Sequence, residues 1–492
     1  MKGTNSNDHR EKEHIVENKE LNIWEALIPV IILMGMLAYN IFYADGAWFG
    51  EYSNQIILLL GGLVAAIVGF FNKTSIRRMF EEVRENLNSV LLPIMILLLV
   101  GALAGTWLVS GVIPAMVYYG LQVLNPIVFL PATIVIAAVI SIATGSSWTT
   151  SATVGIALIG IGTALGIHSG MIAGAVISGA YFGDKMSPLS DTTNLAPAMA
   201  GTDLFTHIKY MSFTTGPTIL ITLVIFTIIS LNIETTGSAD VSGLLGTIED
   251  TFAITPYLFI VPIVVIALIL LKTKPLVALG TGVGLAAIFA LIFQVEVLEA
   301  LSERPVSAVI NAIFTDTQIT TDNDKLNELF SSGGMAGMLW TIYLICCAMV
   351  FGGIMDGIGA LSKITKALLS IASSVFGLFA STVVSCLGLN IIASDQYLAI
   401  VIPGKMFKKA YQDKNLAPEN LSRTLEDSGT VTSVLIPWNT CGAYQSSVLG
   451  VGVSEYFIYA IFNYLSPLTT LIFAAFKIKI RTIKQVKSDI QQ

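Results

Sequence analysis

Charged residues are scarce in this sequence. Asp, Glu, Lys and Arg make up 12% of its 492 residues, whereas hydrophobic residues make up 54%. A soluble domain carries about 25% charged residues. A chain with so little charge has too few charged side chains to cover a water-facing surface. Its mean hydropathy of +0.76 is likewise that of an apolar chain. The composition therefore argues against a soluble globular protein and predicts one whose main solvent is lipid.

Several motifs that carry chemistry are also absent. There is no G-x-x-x-x-G-K-[ST] loop, which argues against ATP as the energy source. There is no HExxH or GxSxG motif, so we expect no enzyme. A TVGYG-like filter and an Arg-rich voltage-sensor helix are missing, which makes a channel the weaker hypothesis. No basic stripe with interleaved aromatics indicates nucleic acid as a partner. We expect a transporter without a cofactor beyond the transported ions.

The four cysteines, Cys346, Cys347, Cys386 and Cys441, lie in apolar sequence and lack CxxC spacing. This pattern predicts neither a disulfide framework nor a zinc site. The first 22 residues are polar and mixed in charge, which is typical of a solvated tail and not of a signal peptide.

Hydrophobic segments recur that approach the ~20 residues needed to cross a bilayer as a helix. They are Trp24–Tyr43, Gln55–Phe71, Val90–Ile113, Pro126–Ile142, Phe213–Leu231, Tyr257–Leu271, Pro275–Phe293, Ala336–Ile354, Ile371–Ile391 and Tyr456–Phe473. Two further regions, Ala143–Tyr210 and Ala393–Gly452, are apolar on average but rich in Gly, Ser, Thr, Asn, Pro and acids. The pattern predicts an all-α polytopic membrane protein in which these two broken regions form discontinuous or re-entrant helices.

The basic residues predict an orientation. Lys and Arg are concentrated in the loop 73–84, around 405–414 and in 477–487, whereas 44–54 and 232–256 contain neither. Loops rich in Lys and Arg remain in the cytoplasm. We therefore expect a multi-pass protein of the cell membrane, in contact with lipid and with both termini cytoplasmic. Residues 1–22 would be the N-terminal tail, 477–492 a basic C-terminal tail, and 295–334 an external loop.

Corresponding spans run in opposite directions under this assignment. Segment 55–71 runs inward and 275–293 outward, and each is followed by two spans and then by a broken region. This order predicts two inverted-topology repeats, 23–250 and 251–476, each with a leading helix. In such folds the substrate sites lie near mid-membrane, where the paired interrupted helices meet.

The broken regions carry the candidate ion site, because Na⁺ prefers oxygen ligands and an acid inside a membrane is costly unless it has a function. The candidate acids for ion binding and proton coupling are Asp184, Asp191 and Asp427, with Asp395 and Asp356 as weaker candidates. The supporting neutral oxygens are those of Ser146, Ser147, Thr149, Ser190, Thr192, Thr193, Asn194, Asn439 and Thr440. One buried carboxyl group that holds either a proton or a metal ion would produce antiport.

The repeat also predicts partners between the two regions. We expect Asp184 to correspond to Asp427, Asp191 to Asn439, and Thr192 to Thr440. The proline that precedes each polar cluster frees backbone carbonyls upstream, and unwound backbone at membrane depth survives only where it lines a cavity or is buried in protein.

Structural roles are the alternatives for these acids. Asp191 could only cap a short helix that begins at Thr192. Asp184 could form an ion pair with the adjacent Lys185 at the membrane edge, and Asp427 could form a cytoplasmic salt bridge.

Asp356 and Asp395 lie near predicted span ends and could be interfacial. The basic residues closest to the motifs, Lys185, Lys405 and Arg423, are expected at the rim of the membrane. A cavity without a buried base favours a cation over an organic anion as cargo.

Three runs of sequence resemble one family. They are GSSWTTSATVGIA from Gly145, GAYFGDKMSPLSDTTNLAP from Gly179, and IPWNTCGAY from Ile436. Together they resemble the NhaC family of bacterial Na⁺/H⁺ antiporters, and the resemblance covers most of the chain, from Trp24 to Lys477. It implies the ion-transporter superfamily fold of two inverted repeats and secondary transport coupled to Na⁺ and H⁺. The family also includes malate/lactate exchangers and relatives that carry amino acids.

We therefore expect exchange of Na⁺ for H⁺ by alternating access. The alternatives are an organic-anion exchanger of the malate/lactate type or an amino-acid transporter, both within the same family, and, from another class, a passive cation channel. The expected partners are Na⁺, H⁺ and, under the second hypothesis, a small organic anion. The sequence leaves the oligomeric state open.

Overall fold

A computed structural model describes most of the chain and shows it to be almost entirely helical. The described residues are 15–44, 48–123, 128–233, 238–271, 273–321, 324–483 and 485. Most of the predicted N-terminal tail and the end of the predicted C-terminal tail therefore lie outside the described residues.

The helices are numbered in chain order, and their bounds are as follows. They are α1 Ile23–Tyr43, α2 Ser53–Phe71, α3 Ile76–Ser89, α4 Leu91–Val109, α5 Val112–Val123, α6 Phe129–Thr144, α7 Ser147–Thr150, α8 Ile156–Ala164, α9 Ser169–Met186, α10 Asp191–Ala200, α11 Leu204–Asn232, α12 Ser238–Thr251, α13 Ile260–Leu270, α14 Pro275–Phe293, α15 Val295–Leu301, α16 Pro305–Phe314, α17 Asp324–Leu329, α18 Gly334–Gly337, α19 Leu339–Gly357, α20 Ala360–Ser370, α21 Val375–Ile392, α22 Gln396–Asp413, α23 Pro418–Leu425, α24 Thr440–Leu449, α25 Val453–Tyr456 and α26 Ile461–Ala475.

Short irregular elements complete the fold. Two π-helical segments, Ser151–Gly155 and Glu426–Thr430, continue α7 and α23. Turns of 3₁₀-helix occupy Pro256–Phe259, Ser433–Leu435 and Phe457–Tyr459, and short strands occupy Trp48–Glu51, Thr317–Gln318 and Ser331–Ser332, of which the last two pair antiparallel.

The membrane-spanning character predicted from the sequence is confirmed. Within the described ranges, seven helices are long and apolar enough to cross a membrane, or up to nine if two bent helix pairs are each one span. These helices coincide with predicted spans. The predicted span 126–142 forms α6, which has 16 residues and is shorter than the others. The protein is an all-α polytopic membrane protein.

The first broken region is a series of helices separated by three breaks. The first break follows α6 at Gly145, whose φ of 70° terminates the helix. Helices α7 and α8 then form one rod through the π-helical segment, and a second break at 165–168 separates α8 from α9. A third break at 187–190 separates α9 from α10, and α10 ends at Gly201, again with positive φ.

The second broken region has a similar series of helices, but its π-helical segment follows the second helix after the break instead of lying within the first rod. The first break follows α21 at Ser394, where φ is 60°. Helix α22 comes next, then α23 with its π-helical continuation, and a break before α24. Helix α24 ends at Gly450 with positive φ, as α10 does at Gly201. The two regions share this order of helices in outline, and the two inverted-topology repeats stay a prediction.

The N-caps of α10 and α24 show that the expected correspondence of Asp191 with Asn439 is offset by one residue. Ser190 and Asn439 are the N-caps of α10 and α24, so Asp191 corresponds to Thr440 as the first helical residue. The correspondence of Asp184 with Asp427 is also wrong. Asp184 lies in the last turn of α9, whereas Asp427 lies within the π-helical segment that continues α23.

Close packing of α6 on α9 positions the first candidate acid. A Cβ added to Gly179 would lie 2.3 Å from the carbonyl oxygen of Ile134, and one added to Gly183 would lie 2.5 Å from that of Ala138. Small residues four apart permit such contact between helix backbones in membranes. Because Gly183 directly precedes Asp184, this contact determines where the carboxylate lies.

We expect Gly183→Ala to destabilise the protein, because the added methyl group would collide with backbone that cannot move without separating α6 from α9. Overpacking of this kind costs about 1–3 kcal/mol. Thermal unfolding of the purified protein in detergent measures it. The matched control is Gly284→Ala in α14, where a Cβ would meet nothing within 4 Å. Equal melting temperatures for the two variants would contradict the close packing.

Candidate functional site

A cavity of about 460 Å³ lies where the two broken regions meet. Its polar lining in the first region consists of Thr144, Ser146, Thr149, Asp184, Ser190, Asp191 and Thr192. The second region contributes Asp395, Gln396, Tyr397 and Thr440. Residues at the junctions of α3 with α4 and of α13 with α14 complete the wall. The structure thus brings together acids and hydroxyl groups that are far apart in sequence.

Asp184 is held by the start of α7. Its Oδ2 accepts hydrogen bonds from the backbone N–H of Ser147 at 3.1 Å and from the Ser147 hydroxyl at 2.6 Å. Ser146 caps the same helix by accepting from the N–H of Thr149 at 3.2 Å. The expected ion pair of Asp184 with Lys185 at the membrane edge is wrong, because Lys185 has another partner.

Asp191 is the first residue of α10, and its side chain is exposed and lines the cavity. The capping role is taken by Ser190, whose hydroxyl accepts from the N–H of Thr193 at 3.4 Å. The interpretation of Asp191 as the cap is therefore wrong, and its carboxylate is left available to a ligand in the cavity.

Asp395 is the acid of the second region that lines the same cavity. It caps α22, accepting from the N–H groups of Tyr397 at 2.8 Å and Leu398 at 3.0 Å, and it is 6% exposed. The interfacial role considered for it is wrong. Its carboxylate is oriented by two backbone donors, much as that of Asp184 is held by Ser147.

The predicted neutral oxygens divide into two groups. Ser146, Thr149, Ser190, Thr192 and Thr440 line the cavity. The others do not, and each has a structural partner within the described chain.

Among those others, Ser147 binds Asp184, and the Thr193 hydroxyl donates to the carbonyl oxygens of Asp184 and Lys185, each at 3.1 Å. Asn194 donates to the carbonyl oxygen of Ser190 at 2.7 Å. Asn439 caps α24 and donates to the carbonyl oxygen of Asn390 at 3.0 Å.

Asp427 lies outside the cavity, in a fully buried ion pair with Lys185. Its other oxygen accepts from the hydroxyls of Thr214, at 2.9 Å, and Thr470. Lys185 also donates to the Ser466 hydroxyl at 3.0 Å. The expected cytoplasmic salt bridge of Asp427 is therefore wrong. The pair joins α9, α11 and α26 to the π-helical segment.

The basic residues near the motifs are not at the rim as expected. Lys185 and Arg423 are both fully buried, and Lys405 is half-buried. The Arg423 guanidinium lies over the ring of Tyr210, 4.7 Å from its centroid. None of the three lines the cavity.

Asp356 is remote from the cavity. It lies in the last turn of α19, is 8% exposed, and belongs to a helix that packs on α3. The adjacent Gly357 approaches the backbone of Met79 closely. The cavity lining does not include this buried acid, and its interfacial role stays a prediction.

One known protein family matches a large part of this chain, including both polar clusters. The profile of the Na⁺/H⁺ antiporter family matches residues 179–478, which contain the Asp184 to Asp191 cluster and the whole second broken region. The chain belongs to the Na⁺/H⁺ antiporter family.

Several members of the Na⁺/H⁺ antiporter family are similar over nearly the full chain. The Na⁺/H⁺ antiporter NhaC of Alkalihalophilus pseudofirmus is 36% identical over 92% of this chain and 96% of its own. The malate-2H⁺/Na⁺-lactate antiporter of Bacillus subtilis is 32% identical over 87% of this chain and 90% of its own. The arginine/ornithine antiporter ArcD of Halobacterium salinarum is 34% identical over 94% of each chain. These relatives are all antiporters and differ in cargo.

Several residues of the cavity wall were not among the candidates predicted from the sequence. Gln396 and Tyr397 follow Asp395 in the cavity wall, and Trp148 lines it from the other side. Trp148 stacks on Tyr444 with ring centroids 3.9 Å apart, which joins the two broken regions. The aromatic residues within each polar run were the signal that could have identified them.

We expect Ser147→Ala to weaken apparent Na⁺ affinity more than the maximal rate, because Asp184 would lose the hydroxyl donor that orients it. Stranding a buried polar partner costs about 1–3 kcal/mol, or roughly 5- to 150-fold in affinity. Na⁺-dependent exchange in proteoliposomes measures both constants. Ser212→Ala is the control, because the Ser212 hydroxyl bonds only the carbonyl oxygen of Lys209 within its own helix. Unchanged Na⁺ dependence would remove Ser147 from the site.

Proposed function

We propose that this chain exchanges Na⁺ for H⁺ across the cell membrane and that Na⁺ binds in the cavity between the two broken regions. The observation that carries the proposal is the composition of the cavity wall. Three carboxylates, those of Asp184, Asp191 and Asp395, face one space together with hydroxyl groups, and no Lys or Arg is among the described residues that line it. Such a wall attracts a small hard cation.

We assign the charged ligands to Asp184 and Asp191 and the neutral oxygen ligands to Ser146, Thr149 and Ser190. All five line the cavity in the first broken region. Asp395 adds a third negative charge from the opposite wall.

Two earlier candidates are left out of this ligand set. The Thr192 hydroxyl donates to the carboxylate of Glu426, and Asp427 is already bound to Lys185. The charge of Asp427 is thus already compensated, and the bond to Glu426 fixes the orientation of the Thr192 hydroxyl.

The cavity is bounded on one side by the α3–α4 and α13–α14 junctions. The basic loops near these junctions would be cytoplasmic by the distribution of Lys and Arg. The cavity would then represent the inward-facing side of an alternating-access cycle, in which Na⁺ and a proton occupy the site in turn. Such exchange needs no cofactor beyond the two ions.

Transport by the purified protein in liposomes tests the proposal. An imposed Na⁺ gradient without any organic substrate is expected to move protons in the opposite direction, which a pH-sensitive dye inside the liposomes reports. If protons move only after malate or lactate is added, the proposal is wrong and the protein is an organic-anion exchanger. Conductance without coupled proton flux would indicate a channel.

An organic cation is the second candidate cargo. A volume of about 460 Å³ is much larger than a dehydrated Na⁺ requires and falls within the range of small-molecule pockets, about 300–1,000 Å³. The aromatic rings of Trp148 and Tyr397 and the three carboxylates would suit an ammonium group. Arginine-dependent flux in the same liposomes, without Na⁺, would favour this cargo.

We predict an external position for Ser331, which lies in the loop between α17 and α18. A cysteine placed there on a cysteine-free background should react with a membrane-impermeant maleimide added to intact cells. A cysteine at Ser488, which lies outside the described residues, should not react until the cells are opened. The reverse pattern would overturn the orientation and the inverted repeat.

A further inference from the structure

Glu426 is a buried carboxyl group immediately behind the wall of the cavity. It is the first residue of the π-helical segment Glu426–Thr430, and its side chain is fully buried. One oxygen, Oε1, accepts from the Thr192 hydroxyl at 3.0 Å. The other, Oε2, makes no hydrogen bond of normal geometry among the described residues, although the nearby Thr430 hydroxyl also acts on this carboxyl group. An ionised carboxylate in such a place is costly, and a protonated one is not.

A short series of hydroxyl groups links Glu426 to the cavity. The Thr192 hydroxyl that donates to Glu426 lies 3.2 Å from the Ser190 hydroxyl. Both Thr192 and Ser190 line the cavity. Hydroxyl groups both donate and accept hydrogen bonds, so this series can pass a proton between Glu426 and the cavity.

Two charged residues of α9 act on Glu426. Asp184 and Lys185 both act on it electrostatically, with opposite sign. The charge of Lys185 is already matched by its ion pair with Asp427. The uncompensated neighbour is therefore Asp184, the carboxylate that faces the cavity.

Among the described residues, Asp184 is the carboxylate that acts on Glu426, and the other elements packed on this segment present different groups. Helix α21 places the Cys386 thiol beside Ser428, and α22 packs Ile400 against Gly429. Helix α26 contributes the Thr470 hydroxyl to Asp427. Helix α23 carries Arg423, whose guanidinium lies over Tyr210.

We propose that Glu426 carries the exchanged proton at a site separate from the Na⁺ site, an inference that rests on the proposed Na⁺/H⁺ exchange. While the cavity is empty, the charge on Asp184 makes ionisation of Glu426 costly, and Glu426 holds a proton. Na⁺ beside Asp184 offsets that charge, and the proton leaves through Thr192 and Ser190. One Na⁺ binds and one proton is released, so the charge of the site is unchanged.

The Glu426→Gln variant tests this assignment, because Gln keeps the acceptor for Thr192 but cannot exchange a proton. In proteoliposomes the variant is expected to lose Na⁺-driven proton flux. It should retain exchange of radioactive Na⁺ for unlabelled Na⁺ at saturating concentration and equal pH on both sides. Its apparent Na⁺ affinity should be weaker than that of the wild type and independent of pH. In the wild type, the affinity should fall by about tenfold per unit of acidification, as one competing proton requires.

Glu299→Gln, at an exposed residue of α15, is the matched control and should retain both fluxes. Unchanged Na⁺-driven proton flux in Glu426→Gln overturns the assignment. Loss of both fluxes in a variant that remains monodisperse in detergent overturns it too, because Glu426 would then belong to the Na⁺ site itself.

Thr192→Val keeps the carboxyl group and removes its hydroxyl link to the cavity. Slower proton-coupled flux with unimpaired Na⁺/Na⁺ exchange supports the proton path, and equal losses in both contradict it. If the wild-type protein itself shows no Na⁺-driven proton flux, the proposed function is contradicted. This outcome is distinct from a failure of the Glu426 assignment, because the wild type is measured before any variant.

Discussion

Asp191→Asn is expected to abolish Na⁺/H⁺ exchange while leaving insertion and folding intact. The carboxylate is exposed to the cavity, so its loss removes a charged Na⁺ ligand. It does not cap α10, since Ser190 has that role, and a neutral amide is cheaper in a membrane than a carboxylate. Na⁺-driven proton flux in proteoliposomes measures the loss, and the yield of monodisperse protein measures folding.

The matched control is Asn194→Ala, one turn further along α10. Its side chain donates to the carbonyl oxygens of Pro188 and Ser190 and does not line the cavity. It should retain exchange with at most a modest loss of stability. An Asp191→Asn protein with near-normal exchange would remove Asp191 from the Na⁺ site and leave Asp184 and Asp395 as the carboxylates that face the cavity.

The second large effect is expected on thermal stability, when the buried ion pair of Lys185 and Asp427 is broken. Both side chains are fully buried, so removing one partner leaves the other charge without compensation. Breaking a buried pair in this way costs about 3–5 kcal/mol. We expect Lys185→Met and Asp427→Asn each to lower the melting temperature in detergent strongly, and the double variant Lys185→Met/Asp427→Leu to be less destabilised than either.

The exposed pair of Arg77 and Glu81 on α3 supplies the control. Its side chains are 88% and 57% exposed, and the two atoms are 2.9 Å apart. Exposed pairs of this kind contribute about 0–1 kcal/mol, so Arg77→Ala should leave the melting temperature almost unchanged. If Lys185→Met were as mild as Arg77→Ala, the buried pair would not hold the helices together.

Much of the architecture could be predicted from local sequence. The predicted span Pro275–Phe293 has the same bounds as α14, and Gln55–Phe71 lies within α2. A continuous apolar run that is long enough to cross a bilayer determines such a helix. The run is visible in one stretch of sequence. The two broken regions were recognisable in the same way, because Gly, Pro and polar residues interrupt the apolar runs.

The site could be predicted only in part. Asp184, Asp191 and several hydroxyl residues of the same short motif line the cavity as a group, because they are close in sequence. Asp395 was ranked too low, because its position near a predicted span end did not show that α22 would direct it into the same cavity. Asp427 lies outside the cavity and pairs with Lys185, which the sequence did not show, because a charge in the membrane is costly whether it binds an ion or a buried lysine.

The sequence by itself determined the class of protein, the apolar spans, the two interrupted regions and the family. All of these depend on composition and on residues within a few turns of one another. Only the tertiary structure decided which acids share a cavity, which acid is neutralised by Lys185 and which lies behind the wall. Lys185 and Asp427 are 242 residues apart, and Thr192 and Glu426 are 234 apart. Contacts over such separations form only when the two halves pack together, and the burial that results determines whether a carboxyl group binds a cation, pairs with a base or holds a proton.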